Sequence, residues 1–263
     1  PRIYGQYVEN LTPDDRPIYG GVVDDAGELR PDVIDALRGM GVPMIRWGGN
    51  YTDVYRWMDG IGSKAARPVR PNYFWGGLES NRFGTHEFLA LCRALSAQPY
   101  ISVNMGTGGL LEALGWLEYC NFAGGTAYSE LRQANGQAEP WAVPIWGIGN
   151  EAWGSWETCF APPEDYVAGF NQYEQYMRKL DPSIQVVAVG HTDRAWNKAV
   201  LTGMRNPADY LSIHMYGHSY LERDGNFEQL VALPTFFEQE LTQVVADLNA
   251  HASKPIALII DEW

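Results

Sequence analysis

Two glutamates stand where a carboxyl group could do chemistry. Glu151 lies in WGIGNEAWG, behind an apolar run and among glycine and tryptophan, and Glu262 ends the most apolar stretch, in LIIDEW. A carboxylic acid and a carboxylate facing one another can break a glycosidic bond. The acid protonates the leaving oxygen while the carboxylate takes the far side of the anomeric carbon, the two roughly 5–5.5 Å apart where configuration is retained. Nearby tryptophan and the second carboxylate should raise the pKa of the acid partner. The plainer reading pairs each glutamate with an arginine such as Arg46 and lets the ion pairs hold a rim together. Other chemistries find little footing. NMGTGG at 104–109 has neither the lysine of a phosphate loop nor GxGxxG spacing, and reads as a turn. No GxSxG elbow occurs. His214 and His218 have a metal-like spacing, but they sit at a strand end with no acidic third ligand close by, so neither metal nor cofactor is expected.

The elements that must position these residues alternate. Strand candidates fall at 3–8, 43–47, 100–104, 145–149, 185–189, 210–214 and 257–261, with helical patterns at 31–40, 86–95, 109–120, 163–180, 196–204 and 234–250 between them. Strands that are apolar almost throughout suit a sheet covered on both faces, and repeated β-then-α units argue for parallel pairing. Seven strands predict a (β/α)8 TIM-barrel type truncated after the seventh strand, a single catalytic unit over 1–263, with an open doubly wound sheet as the alternative. In such a barrel the site gathers at the C-terminal strand ends. Those ends carry Glu9-Asn10, Arg46 with Asn50 beyond, Asn104, Asn150-Glu151, His214 with Tyr216, and Asp261-Glu262, flanked by Trp47, Trp75, Trp153 and Trp263. The segment 48–84 is too long for an ordinary connection and should carry function.

A net charge of −13 repels phosphate backbones and anionic lipid, so neither nucleic acid nor a membrane is an expected partner. No apolar run reaches the roughly 18 residues of a span. Cys92, Cys120 and Cys159 are odd in number and widely spaced. They predict free thiols in a reducing compartment, the cytoplasm, unless a secretion signal lies upstream of Pro1.

Several blocks together resemble glycoside hydrolase family 51, best known for α-L-arabinofuranosidases. They are IYGQYVEN, IRWGGNYTDVYRWMDGIGS, LESNRFGTHEF, EYCNF, LRQANGQAEPWAVPIWGIGNEAWG, LSIHMYG and IIDEW. The resemblance implies Glu151 as acid/base and Glu262 as nucleophile of a retaining hydrolase releasing terminal α-L-arabinofuranosyl residues from arabinose-containing oligosaccharides or polysaccharides. It implies that Asn150 holds the sugar 2-hydroxyl and that Glu9, Arg46 and Asn50 bind hydroxyls or hold the carboxylates. Trp75 would line the subsite, and His214 and Tyr216 would flank the nucleophile. Relatives that cleave β-1,4-glucan internally, or an inactive carbohydrate-binding fragment, are the alternatives. Family members are often hexamers and continue into a last barrel strand and a C-terminal β-sandwich, so the resemblance implies that 1–263 is an incomplete catalytic barrel without those two parts. Trp47-Gly48-Gly49 replaces the usual Pro-Gly-Gly, and the segment after Glu151, AWGSWETCFAPPEDY, departs from the family pattern.

Overall fold

The computed structural model describes residues 5–12, 19–217 and 227–263; His218 therefore lies outside the described residues. Among the described residues seven strands form one sheet: β1 Gln6–Val8, β2 Met44–Trp47, β3 Gln98–Val103, β4 Ile145–Ile148, β5 Gln185–Val189, β6 Tyr210–His214 and β7 Ala257–Glu262. They pair in chain order, and every pairing is parallel. A doubly wound sheet reverses order at a switch point; this one does not, which settles the architecture as the barrel. Among the described residues β1 and β7 approach each other without pairing, and a cleft of about 340 Å³ between them is lined by Gln6, Met44, Leu258 and Ile259.

Seven α-helices follow the strands among the described residues: α1 Pro31–Met40, α2 Thr85–Leu95, α3 Leu110–Asn121, α4 Ala127–Ala134, α5 Pro163–Leu180, α6 Arg194–Gly203 and α7 Phe227–His251. Pro31 and Pro163 occupy first-turn positions, where a missing N–H costs nothing. β2 and β4 are buried at every position, as strands covered on both faces must be. Two helices depart from expectation. α4 is a short helix with no long periodic stripe, started by a capping box between Thr126 and Ser129. α7 is already helical from Phe227, upstream of Pro234, which sits inside it rather than at its first turn. None of these helices is long and apolar enough to cross a membrane.

The segment 48–84 contains 3₁₀ turns and a small antiparallel ribbon, Arg70–Pro71 with Leu78–Glu79. Buried Glu79 ties it down by accepting from Asn10 Nδ2 at 3.1 Å, from Asn81 N at 2.6 Å and from the Tyr19 hydroxyl. Trp47 belongs to the core rather than the rim. It packs among Tyr55, Phe83, Phe88 and Trp116 and donates Nε1 to Asn10 Oδ1 at 2.9 Å. An apolar socket for the ring and an acceptor for its Nε1 hold it in the core, where it is buried.

The ladder between β6 and β7 is irregular at its C-terminal end. Ile213 pairs with Ile260 but His214 pairs with Glu262, so Asp261 is an extra residue bulged out of the ladder. Regular alternation would send Asp261 and Glu262 to opposite faces. The bulge re-aims the strand, and both carboxylates are buried and reach the same arginine.

Candidate active site

A cavity of about 570 Å³ opens at the C-terminal ends of the strands, between Glu9, Trp75, Glu151, Trp153, Tyr216 and Glu262. Its size suits a sugar-sized ligand. Glu151 follows β4 through Gly149, whose φ of +82° makes the turn that lifts the next residues out of the sheet. Glu151 itself has φ +38°, a strained backbone for a residue with a side chain. His214 is the bridge between the two glutamates. Its Nδ1 lies 2.6 Å from Glu151 Oε1 and 3.3 Å from Glu262 Oε2, and its Nε2 lies 3.3 Å from Asp261 Oδ1.

Burial opposes a charge on His214, but Glu262, Asp261 and Glu151 together outweigh it and push its pKa up to about 10. The imidazole is therefore charged at neutral pH. Burial also pushes the Glu151 carboxyl up, yet the hydrogen bond and charge of His214, with Trp156 and Arg46, bring it below the ordinary carboxylate range. This corrects the expectation that the acid partner would be raised: a cation 2.6 Å away decides against the tryptophan and the second carboxylate. The proton resides on His214, one short hydrogen bond from Glu151.

Arg46 is buried on β2 and organises the rest. Nη1 donates to Glu262 Oε1 at 2.5 Å, Nη2 to Asn150 Oδ1 at 2.6 Å, and Nε faces Asp261 Oδ2 at 3.2 Å. Burial disfavours its charge, but Asp261 and Glu262 overturn that and raise it further. Asp261 also accepts from Tyr100 at 2.8 Å and Ser212 at 2.5 Å, and Arg46 and His214 hold it well below the usual range despite burial. Tyr216 donates its hydroxyl to Glu262 Oε2 at 2.7 Å and meets the Tyr7 hydroxyl at 3.2 Å.

At the far wall, Glu9 accepts from Trp75 Nε1 at 3.0 Å and Tyr51 N at 3.4 Å. Burial, then Glu262, push its pKa up to about 7. Gly49 has φ +95°, and a Cβ there would overlap the Glu9 carboxylate, so this glycine is what lets the loop approach Glu9 and present Asn50. Asn150 donates to Glu157 Oε1 at 3.0 Å and to Asn50 Oδ1 at 3.3 Å. Glu9, Arg46, Asn50, Trp75, Asn150, Glu151, His214, Tyr216 and Glu262 thus all converge on one rim. Asn104 does not join them. Its amide staples its own loop, accepting from Gly106 N and Gly108 N at 2.9 Å and donating to Tyr55 O at 3.1 Å. Trp263 lines the cleft between β1 and β7 instead.

Sequence reasoning missed four contributors. Trp156 donates Nε1 to Glu151 Oε2 at 2.8 Å, and Glu157 holds Asn150; both lie in the segment that departs from the family pattern. His191, just past the end of β5, packs against Trp153 in a tilted contact with ring centroids 4.0 Å apart. Tyr7 alternates with Glu9 on the first strand, the one signal that could have found it. Glu151, His214 and Glu262 offer ligand atoms within 4.8 Å of one another. A cation there would displace the bonds they already make with each other, Arg46 and Tyr216.

A family model described as the alpha-L-arabinofuranosidase 1 domain matches residues 36–231. Alpha-L-arabinofuranosidase C of Emericella nidulans is 39% identical over 236 residues, covering 82% of this chain and 46% of that protein. An intracellular exo-alpha-(1->5)-L-arabinofuranosidase of Streptomyces lividans is 34% identical over 283 residues, covering 100% of this chain and 42% of that protein. The chain therefore spans about half the length of the curated relatives it matches. Among solved structures, the Thermotoga maritima α-L-arabinofuranosidase in complex with arabinose superposes with a TM-score of 0.85 at 40% identity, over 95% of this chain and 52% of that one. A family 51 α-L-arabinofuranosidase from Bifidobacterium longum gives 0.90 at 32% identity, over 100% of this chain and 56% of that one. On the matched domain, the identity across most of its length and the shared barrel, the chain belongs to the α-L-arabinofuranosidases of glycoside hydrolase family 51.

Proposed function

We propose that the protein is a retaining, exo-acting α-L-arabinofuranosidase in which Glu262 is the nucleophile and Glu151 the acid/base. The observation that carries this reading is the Glu151–His214–Glu262 cluster, in which one oxygen of each carboxylate and a ring nitrogen of His214 lie within 4.8 Å of one another at the sugar-sized cavity. Oxygens this close support a retaining pair, in which a carboxylate attacks directly, over an inverting pair, whose carboxyl groups stand roughly 6.5–9.5 Å apart to admit a water. A terminal arabinofuranosyl unit from an oligosaccharide or polysaccharide enters against Trp75 and Glu9. Asn150 and Asn50 meet its hydroxyls, with Arg46 and Tyr216 orienting Glu262. Glu262 attacks the anomeric carbon and forms a glycosyl ester while the C–O bond to the leaving group breaks. Glu151, drawing the proton from His214 across their short bond, delivers it to the departing oxygen, then takes a proton from the water that hydrolyses the ester. Three unpaired cysteines and the intracellular Streptomyces relative support a reducing compartment.

The full-length protein should release 4-nitrophenol from its α-L-arabinofuranoside, and Glu262→Ala should abolish that release. Glu151→Ala should lower kcat/KM on arabino-oligosaccharides by about 10²–10⁴. Proton NMR of the first product should show retained anomeric configuration. Inversion, or internal cleavage of β-1,4-glucan without arabinose release, would overturn the proposal.

A further inference from the structure

Asn150 is held on two sides. Its Oδ1 accepts from Arg46 Nη2 at 2.6 Å, and its Nδ2 donates to Glu157 Oε1 at 3.0 Å and, over a longer 3.3 Å, to Asn50 Oδ1. With a guanidinium on one face and a carboxyl on the other, only one of the two amide orientations satisfies both. We propose that Glu157 is a positioning residue for the sugar 2-hydroxyl: its buried carboxyl anchors Asn150 Nδ2 and so fixes the amide group that meets the substrate. The inference rests on the arabinofuranosidase reading and on Asn150 as the 2-hydroxyl partner.

The loop after β4 is folded to make this contact. Gly154 N donates to Glu151 O at 2.6 Å, Glu157 N to Gly154 O at 3.0 Å, and Ala161 N to Ala152 O at 3.0 Å. These turns bring Trp156 and Glu157 back onto Glu151 and Asn150: one pair of consecutive side chains clasps another. Cys159 Sγ adds a contact to the Asn150 carbonyl at 3.3 Å. Glu151, at φ +38°, has a backbone that persists only where its surroundings over-determine it, and the clasp supplies that constraint.

A carboxyl group suits the place because it is held neutral. Behind Glu157 lies Asp53, itself buried, with Oδ1 accepting from Met105 N at 3.1 Å. Asp53 Oδ2 and Glu157 Oε2 both lack a partner among the described residues. Burial first, then the Asp53 charge, push the Glu157 carboxyl up to about 9 against the donation from Asn150, with Glu151 and Glu262 adding to the effect. A protonated Glu157 therefore presents an acceptor to Asn150 without placing another anion beside the two catalytic carboxylates. The Asn50 bond is the longest of the three, and it is the one a sugar hydroxyl entering beside Asn50 replaces.

The test compares 4-nitrophenyl α-L-arabinofuranoside with its 2-deoxy analogue in the full-length protein. Glu157→Met, which keeps length and loses the acceptor, should lower kcat/KM on the 2-hydroxy substrate by about 10- to 100-fold and leave the 2-deoxy substrate within about threefold. Glu157→Gln keeps a neutral acceptor and should preserve wild-type preference for the 2-hydroxy sugar. Equal losses on both substrates in folded Glu157→Met would overturn the inference, as would a Glu157→Gln protein that folds but loses the preference. Should Glu157→Met fail to fold by circular dichroism, the Glu157→Gln preference alone decides. Failure of wild type to cleave either substrate overturns the arabinofuranosidase reading and this inference with it; the other outcomes bear on Glu157 alone.

Discussion

Replacing Asp261 by Asn tests whether the charge beneath His214 sets the proton supply of the site. Asp261 faces His214 Nε2 at 3.3 Å and supplies both a hydrogen bond and a charge among the contacts that lift the imidazole to about 10 from 6.5. A charge-assisted bond of this kind is worth about 1.5–3 kcal/mol, and 1.36 kcal/mol corresponds to one pKa unit, so Asp261→Asn should bring His214 down to about 8. The direction in pH is set by the sign of the shift. His214 holds its proton more tightly folded than unfolded, so its stabilisation is complete below pH 6.5 and fades as pH rises through about 10. For a fully buried group this amounts to about 5 kcal/mol in the wild type, and the variant should forfeit roughly half of it. At pH 6 the two proteins should differ little in proton supply; the gap should open between about pH 8 and 10. Two assays read it: the alkaline limb of kcat/KM on an arabino-oligosaccharide, whose poor leaving group needs the proton, and imidazole NMR shifts across the same range. An alkaline limb and imidazole titration unchanged in Asp261→Asn would refute the reasoning.

Further predictions concern Glu262, the proposed nucleophile, and the far wall. Tyr216→Phe removes the 2.7 Å bond to Glu262 Oε2 and should lower kcat by about 10- to 100-fold, with some loss of thermal stability; an effect confined to KM would show that Tyr216 binds sugar rather than orienting Glu262. Glu9, pushed up to about 7 by burial and Glu262, should bind arabinose hydroxyls as a carboxylate, so KM should rise as pH falls through about 7. Glu9→Gln should flatten that dependence, and a KM profile identical to wild type would count against it. Gly49→Ala forces a side chain into left-handed backbone and against Glu9, and should raise KM while sparing the core; wild-type kinetics would show that the loop can move aside.

Much of the fold is legible in the sequence. The alternation of apolar runs and helical patterns locates all seven strands, because parallel strands covered on both faces have a composition of their own. Polar residues at the strand ends then point to one rim, and Glu9, Arg46, Asn150, His214 and Glu262 do meet there. What is illegible is pairwise. The bulge at Asp261 is a property of register between β6 and β7, and no single strand carries it. The direction of the Glu151 shift depends on a histidine many residues away coming within 2.6 Å. Asn104 reads as a rim residue because strand ends look alike until one knows which amide turns back on its own loop. Trp47 misleads for a similar reason, since an aromatic at a strand end can face either the cavity or the helices behind it. Glu157 sits in a segment without periodicity, where neither pattern nor resemblance could speak.

The placement of Arg46 has a consequence for how the barrel assembles. Arg46 sits on the second strand, while both carboxylates that neutralise it, Asp261 and Glu262, arrive on the seventh. A partly assembled sheet that closed over β2 would bury a guanidinium with no counter-charge, which is costly enough to oppose closure. Early closure over β2 should therefore be disfavoured, and docking of β7 should bring the charge balance of Arg46 in a single event. Conformational stability and the proposed nucleophile should then appear together during refolding, because Glu262 arrives on the strand that balances Arg46.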